Sequence, residues 1–269
     1  VTLEGCRPVR FPSSFAGDGR WRVDLPALER AFTSRTRAVI LVSPNNPTGA
    51  FLAPGQYAAI RQMCADRKCP ILLDEVFHDY PAAGFSAPVL DEAAGLIVRL
   101  SGLSKVVGAP QLKLGWARLS GDEALVRAAC ARLEFIADAY LSASTPAQFA
   151  AEALLPARGP IQKKIVDRLE TNQRAAEQAL GEGPARLLPR EGGWYLVLRL
   201  PEGEDEEALA QQLLADDMVV VHPGYFYDFP EGEHLVISLI PRTDEFAEGV
   251  RRVAKRIEAR LQVRGREGL

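Results

Sequence analysis

A lysine, Lys105, follows directly on a short apolar run that ends in small and hydroxyl-bearing residues. The run 96–100 is interrupted only by Arg99 and predicts a buried strand that ends at Ser101. Desolvation is costly for a charged amine and lowers its pKa, and a neutral amine can attack a carbonyl group to form a Schiff base. For a lone lysine the start of a surface helix is the favoured interpretation, so the chemistry of Lys105 depends on its neighbours.

Two other polar side chains, Asp74 and Asn46, also follow predicted buried strands. Asp74 comes directly after the apolar run 70–73, and Asn46 lies in the turn 43–49, which follows a strand. Asp74 has an ordinary interpretation as a loop carboxylate or helix cap, and Asn46 as a plain turn residue. Ligands bind at the carboxyl ends of strands in open α/β sheets, so a shared site with Lys105 is the functional interpretation.

With these neighbours, the segment 101–116 resembles the cofactor-lysine segment of the fold-type I, class I/II aminotransferases, which use pyridoxal 5'-phosphate (PLP). The family pattern is Ser-x-Ser-Lys followed by Pro-Gly-x-Arg-x-Gly. The matching residues here are Ser104, Lys105, Pro110 and Gly115. The resemblance covers nearly the whole chain but only the later part of a typical family member. It therefore implies that an N-terminal part of the large domain is absent, and that this truncated chain binds PLP weakly and has little activity.

The resemblance implies a role for each polar side chain. Lys105 would hold PLP covalently and shuttle a proton, and Asp74 would pair with the pyridine nitrogen and keep it protonated. Asn46, in the Asn-Pro-x-Gly signature, would donate a hydrogen bond to the phenolic oxygen. A protonated ring draws electrons from the substrate's α-carbon, so these roles imply transfer of an amino group between an amino acid and a 2-oxo acid.

Several cofactor-binding positions depart from the family pattern. Phe77 stands where the family usually has a tyrosine that reaches the phenolic oxygen, and phenylalanine cannot donate a hydrogen bond. Gly102 and Lys113 stand where the family has a serine and an arginine that contact the cofactor phosphate. Lys113 keeps the charge without the fork of a guanidinium. Either Ser101 or Ser104 is expected to supply the missing hydroxyl.

An arginine of the C-terminal region is expected to bind the substrate's carboxylate. The family places it on a strand before a hydrophobic–Ser pair, and Val236 occupies that place here. Arg242, just past the strand, is the nearest candidate, although arginines are common and mostly solvated. The segment 142–146 resembles the loop that approaches the partner's cofactor phosphate in family dimers. It fits an ordinary helix cap at Thr145 equally well.

The surrounding elements predict an α/β fold. Strands that alternate with helices indicate a three-layer, mostly parallel sheet of the PLP-transferase type, with an antiparallel strand after Gly115. The composition changes around the long helix 161–180, which predicts a smaller α+β domain. The expected domains are 1–160, a partial PLP-binding large domain, and 161–269, a C-terminal small domain. Further strands are predicted at the N-terminus, over residues 1–11, and at 218–221.

Composition excludes several function classes. The 32 basic and 35 acidic residues are interspersed, so no nucleic acid or anionic membrane surface is expected as a partner. No apolar run approaches membrane-spanning length, and the first residues lack the features of a signal peptide. The 4 cysteines and 3 histidines lack metal-site spacing, which favours free thiols in a reducing cytoplasm and no metal site.

Three functions fit these observations. The leading hypothesis is an aminotransferase that is a homodimer in its full-length form. A carbon–sulfur lyase on the same scaffold would use the same electron sink, and release of pyruvate without an oxo-acid acceptor would identify it. The third possibility is a non-catalytic fragment or a ligand-sensing domain cut from a regulator.

Overall fold

The computed structural model describes residues 2–17, 19–90, 94–140, 142–229 and 231–267. The chain forms two compact units. The first comprises Val1–Pro44, Ala50–Asp79 and Ser86–Gly159. The second comprises Asn45–Gly49, Tyr80–Phe85 and Pro160–Leu269. Two short segments of the N-terminal half therefore pack with the C-terminal unit.

The first unit contains a four-stranded sheet and a separate antiparallel pair of strands. The pair consists of β1 (Ser13–Phe15) and β2 (Trp21–Val23), and the sheet of β3 (Val39–Val42), β4 (Ile71–Asp74), β5 (Leu96–Gly102) and β6 (Gly115–Gly121). Its helices are α1 (Leu25–Ala31), α2 (Pro54–Asp66), α3 (Leu103–Val106), α4 (Glu123–Ala139) and α5 (Thr145–Leu154). The sheet order is β3-β4-β5-β6, with β4 parallel to both neighbours and β6 antiparallel to β5. Three parallel strands, of which β3 and β4 are joined through α2, confirm the predicted α/β class.

The core of the first unit lies between helix α2 and the sheet. Alternate strand residues face this core because successive side chains of a strand point to opposite faces. The central members of the cluster are Val39, Leu41, Ile71, Leu73, Ile97, Tyr57 and Ile60. Each fully buried aliphatic side chain contributes about 1.5–3 kcal/mol. The cluster therefore fixes β3, β4 and β5 side by side, with their carboxyl ends at one edge of the sheet.

The second unit is α+β, as predicted. Its strands are β7 (Arg186–Leu187), β8 (Tyr195–Arg199), β9 (His222–Pro223) and β10 (His234–Ser238), and its helices are α6 (Arg158–Leu180), α7 (Glu206–Asp217) and α8 (Thr243–Glu267). The strands form an antiparallel sheet in the order β7-β8-β10-β9. The two longest helices, α6 and α8, are rich in charge. No helix within the described residues has the length and apolar character to cross a membrane.

Two predicted strands are wrong. Residues 2–11 form a short 3₁₀ turn, Thr2–Glu4, and then irregular chain that pairs with no strand within the described part of the structure. The apolar run 218–221 was predicted as a strand from its valines. Instead Met218 ends α7 in a left-handed conformation with φ 55°, and its side chain is 79% exposed. Strand propensity without a partner strand therefore did not produce a strand.

Candidate active site

Lys105 lies in the short helical turn α3, directly past the end of β5. Its Nζ is 5.3 Å from the centre of the Phe77 ring, and Phe77 is buried. An aromatic face attracts a cation, but burial also removes water from the amine. Burial lowers the pKa of Lys105 below its ordinary value. An amine with a lowered pKa is more readily neutral, which attack on a carbonyl requires.

Asp74 is the last residue of β4 and is level with Val42 on β3 and Leu100 on β5. Its Oδ1 accepts a hydrogen bond from the backbone N–H of Val76 at 3.0 Å, which orients the carboxylate in the turn after the strand. The backbone N–H of Ser43 donates to the Asp74 carbonyl at 2.9 Å, so the pairing with β3 continues one residue further. The carboxylate is therefore held at the carboxyl edge of the sheet.

Glu75 forms an ion pair that the sequence analysis did not identify. Its carboxylate binds the guanidinium of Arg99 on β5, and both side chains are nearly buried, at 12% and 11% exposed. Arg99 also donates to the carbonyl oxygen of Leu90 at 3.2 Å, and His78 Nδ1 lies 3.7 Å from the carboxylate. The available signal was Arg99 itself, since a charged residue that interrupts a buried strand requires a partner.

The expected phosphate-binding residues lie along β5 and the segment after it. Ser101 is on β5 opposite Trp116, Ser104 is in α3 beside Lys105, and both serines are half-buried. Lys113 is exposed and adopts a left-handed conformation at the end of the 3₁₀ turn Pro110–Leu112. Its ammonium group therefore lies on a turn and not on a regular element.

The structure explains why glycine replaces the family's serine at position 102. A Cβ atom at Gly102 would lie 2.9 Å from the carbonyl oxygen of Leu114 and 3.1 Å from the Cα of Gly115. The backbone before β6 therefore occupies the space that a side chain would need. Ser101 and Ser104, the two serines that flank Gly102, both have their side chains in place.

Asn46 belongs to the second unit and lies in a compact turn. The N–H of Gly49 donates to the carbonyl oxygen of Asn45 at 2.8 Å, and the Thr48 hydroxyl donates to Asn45 Oδ1 at 3.0 Å. The side chain of Asn45 is thus used to close the turn, whereas Asn46 is exposed. The turn presents the amide of Asn46 at the surface of its unit.

Arg242 also belongs to the second unit, and it is exposed. Its Nη2 lies 3.1 Å from a carboxylate oxygen of Asp244, and the hydrogen bond to Asp244 raises the pKa of Arg242. Val236, which stands at the family arginine's place, is buried in β10. The candidate for the substrate's carboxylate therefore already holds a carboxylate of its own chain.

The site residues predicted from the sequence thus fall into two groups: Asn46 and Arg242 lie in the second unit, and the others lie in the first. Asp74, Phe77, Ser101, Ser104 and Lys105 lie on β4 and β5 or directly after them, in the first unit.

The model of the aminotransferase class I and II family matches residues 1–257 of this chain. The chain belongs to the class I and II aminotransferase family. The segment of the first unit that carries Lys105 lies within the matched residues.

Curated relatives of this family are longer than the chain. The glutamate-pyruvate aminotransferase AlaA of Escherichia coli is 24% identical over 267 residues, which cover 95% of this chain and 65% of that protein. The arginine–pyruvate transaminase AruH of Pseudomonas aeruginosa is 28% identical over 252 residues, which cover 92% of this chain and 61% of that protein. The chain thus spans less than two thirds of the length of these relatives.

Solved structures of the family share the fold. The alanine aminotransferase from Pyrococcus furiosus superimposes with a TM-score of 0.81 at 22% identity, and the match covers 96% of this chain and 66% of that one. A PLP-bound putative aminotransferase from Clostridium difficile matches with a TM-score of 0.75 at 16% identity, covering 91% of this chain and 64% of that one. The chain therefore has the α/β fold of the PLP-dependent transferases.

Proposed function

We propose that the protein is a PLP-dependent aminotransferase that moves an amino group between an amino acid and a 2-oxo acid. The observation that carries this proposal is Lys105, whose amine lies past the end of β5 against the buried Phe77 ring and has a lowered pKa. Family membership supports PLP as the cofactor. The relatives' names support pyruvate as one oxo acid, because glutamate-pyruvate and arginine–pyruvate enzymes both match.

The residues at the sheet edge have the chemistry that PLP requires. When bound, PLP supplies an electron sink for the electrons left when a proton leaves the substrate's α-carbon. Lys105 Nζ would hold the cofactor and then accept and return that proton. The Asp74 carboxylate, oriented by the Val76 N–H, would keep a proton on the ring nitrogen, since an opposite charge favours the protonated form. Asn46 would donate its amide hydrogen to the phenolic oxygen.

We assign the remaining contacts by the same resemblance. Ser101 or Ser104, together with Lys113, would bind the cofactor's phosphate, and Phe77 would pack beside the amine of Lys105. Arg242 would bind the substrate's carboxylate by exchanging it for Asp244. In this assignment residues 1–160 are the PLP-binding part and 161–269 the small domain.

We also propose that the full-length protein is a homodimer. The region of helices α4 and α5 supports this, because Phe135 of α4, Tyr140 directly after α4 and Phe149 of α5 are exposed at 74%, 74% and 73%. Exposed apolar patches of this kind mark interaction surfaces.

Absorption spectroscopy and peptide mapping test the proposed chemistry. Protein saturated with PLP is expected to show a visible band, and borohydride treatment should attach the cofactor to the peptide that contains Lys105. Lys105→Ala should lose the band and any transfer from an amino acid to pyruvate. Lys164→Ala, an exposed lysine on α6, is the matched control and should keep both.

Two results would contradict the proposal. Full transfer activity in Lys105→Ala would remove the central role of that residue. Release of pyruvate from a sulfur amino acid without any oxo acid present would identify a lyase, and the relatives' names favour transfer over this alternative.

A further inference from the structure

Arg190, a half-buried arginine, joins helix α6 to the turn before β8. Its Nη1 donates to the carbonyl oxygen of Gly193 at 2.6 Å. Its Nε and Nη2 both donate to Oε1 of Gln173 on α6, at 3.0 Å and 2.7 Å. Burial lowers the pKa of Arg190 to about 10, and Glu170 and Glu177 only partly offset that effect. The guanidinium loses water on burial, and its acceptors are neutral oxygens that do not balance its charge. The useful property of arginine at this position is therefore its fork of donors, which reaches two acceptors at once.

The turn that Arg190 holds packs against the segment Asn45–Gly49. Gly49 approaches so closely that a Cβ atom built on it would overlap the carbonyl oxygen of Gly192 and lie 2.8 Å from Cγ of Arg190. Gly49 also has φ +70°, in the region that favours glycine. The aliphatic stem of Arg190 is therefore part of the wall against which this segment rests.

A third segment of the same unit, Tyr80–Phe85, holds the other side of the turn. The N–H of Gly193 donates to the carbonyl oxygen of Tyr80 at 2.9 Å, and the N–H of Ala82 donates to the carbonyl oxygen of Glu191 at 2.8 Å. The turn is thus tied to Tyr80–Phe85 by backbone hydrogen bonds, while Arg190 ties it to α6. These contacts leave Gly49 packed against a fixed surface.

We propose that Arg190 is a positioning residue for Asn46. This inference rests on the proposed function, in which Asn46 donates a hydrogen bond to the cofactor's phenolic oxygen. The exposed Asn46 is placed by its own turn, and that turn rests on Gly192 and on the stem of Arg190. Arg190 fixes this support by bonding Gly193 and Gln173 at once, so the direction of the Asn46 amide depends on it. Lysine would keep the charge but lacks the fork that reaches both acceptors.

Hydrogen exchange in the cofactor-free chain tests whether Arg190 supports the turn Asn45–Gly49. The reporter is the Gly49 amide, which is bonded to the Asn45 carbonyl at 2.8 Å. Arg190→Met should speed its exchange about tenfold, the effect of losing one charged hydrogen bond in the support, and Arg190→Lys should have a smaller effect. Arg174→Met, an exposed arginine on the same helix as Gln173, is the matched control and should leave the rate unchanged.

An unchanged Gly49 exchange rate in Arg190→Met would overturn the proposal, whether or not the chain binds PLP. If Arg190→Met does not fold, Gln173→Met can be used instead, because it removes the oxygen that accepts both hydrogen bonds of Arg190. Gln173→Met should also speed the exchange of the Gly49 amide. Parental exchange at Gly49 in that variant would be equally decisive.

A pH titration of the PLP-loaded protein tests whether Arg190 affects the proposed hydrogen bond from Asn46 to the phenolic oxygen. Without a donor, the phenolic oxygen holds the proton that it shares with Lys105 Nζ more tightly, so Asn46→Ala should move the absorption midpoint to higher pH. Arg190→Met should move it in the same direction. Because both changes act through one hydrogen bond, the double variant Asn46→Ala/Arg190→Met should move it no further than Asn46→Ala alone.

Additive shifts in the double variant, or no shift in Arg190→Met, would overturn the role of Arg190. Absence of a visible band in the parental protein would instead contradict the proposed function. The exchange of the Gly49 amide would still decide whether Arg190 supports the turn.

Discussion

The pKa of Lys105 links its chemistry to the stability of the folded chain. Burial lowers this pKa, so the folded state is penalised while the amine is charged. The penalty is complete below the lowered pKa, and it disappears as the pH rises from there to the ordinary lysine value of 10.5. In the cofactor-free chain, Lys105→Met should therefore gain stability relative to the parent at neutral pH, and lose this gain as the pH approaches that value.

Denaturant unfolding at several pH values measures this gain. Lys164→Met, an exposed lysine, serves as the control and should show no pH-dependent difference from the parent. A gain for Lys105→Met that stays constant or grows as the pH rises would show that burial does not lower the pKa of this amine.

Substitutions at Arg242 and Asp244 should change the KM for the substrate in opposite directions. If Arg242 binds the substrate's carboxylate, then Arg242→Gln should raise KM at least about tenfold, the effect of losing one charge-assisted pair. Asp244→Asn should lower KM, because it removes the internal carboxylate that occupies Arg242 at 3.1 Å. Steady-state kinetics with an amino acid and pyruvate measure both changes.

Arg251→Gln is the matched control for Arg242, since Arg251 is an exposed arginine of α8 that pairs with Glu248. It should leave KM unchanged. A KM that stays at the parental value in both Arg242→Gln and Asp244→Asn would exclude Arg242 as the carboxylate-binding residue.

At the scale of elements, the ion pair Glu75–Arg99 joins the end of β4 to β5. Arg99→Met should destabilise the chain by about 3–5 kcal/mol, because it leaves the Glu75 carboxylate nearly buried without its partner. The double variant Glu75→Gln/Arg99→Met should recover part of this loss. Urea unfolding measures both.

An exposed pair of the same chemistry provides the comparison. Arg127 and Glu123 on α4 form an exposed salt bridge at 2.6 Å, so Arg127→Met should cost less than about 1 kcal/mol. If Arg99→Met cost no more than Arg127→Met, the pair would not be what holds the ends of these strands together.

Elements with a strong local signal could be predicted, and contacts between distant residues could not. Asp24 and Asp122 each stand directly before a helix, where an aspartate favours a helix start, and each accepts a capping hydrogen bond, from Ala27 N at 2.8 Å and Ala124 N at 2.9 Å. The ends of β4 and β5 were likewise predicted from apolar runs that stop at polar residues. The prediction of a strand at 218–221 was wrong because a strand also needs a partner strand to pair with.

The same distinction applies to the candidate site. Lys105 and Asp74 could be placed from the sequence because each follows its own strand. The pair Arg99–Glu75 spans 24 positions, and the contact between Arg190 and Gln173 spans 17. No local pattern encodes such pairings, since they depend on which strands become neighbours and on how a turn meets a helix.

At the scale of the whole molecule, the surface of α4 and α5 predicts that the protein self-associates. No residue of α4 is buried, and Phe135 and Phe149 are 74% and 73% exposed. The formal net charge is only −3, so electrostatic repulsion between copies is weak. Light scattering across a concentration series should therefore give a mass that rises from one copy of 29.4 kDa towards two.

Charge placed on this surface should reverse the association. The double variant Phe135→Glu/Phe149→Glu is expected to remain at the mass of one copy, because two carboxylates would have to lose their water in the interface. Met218→Glu, at a residue 79% exposed at the end of α7, adds a carboxylate outside α4 and α5 and should associate like the parent. A single-copy mass for the parental protein at every concentration, or equal association of the double variant, would show that α4 and α5 are not the surface that joins two subunits.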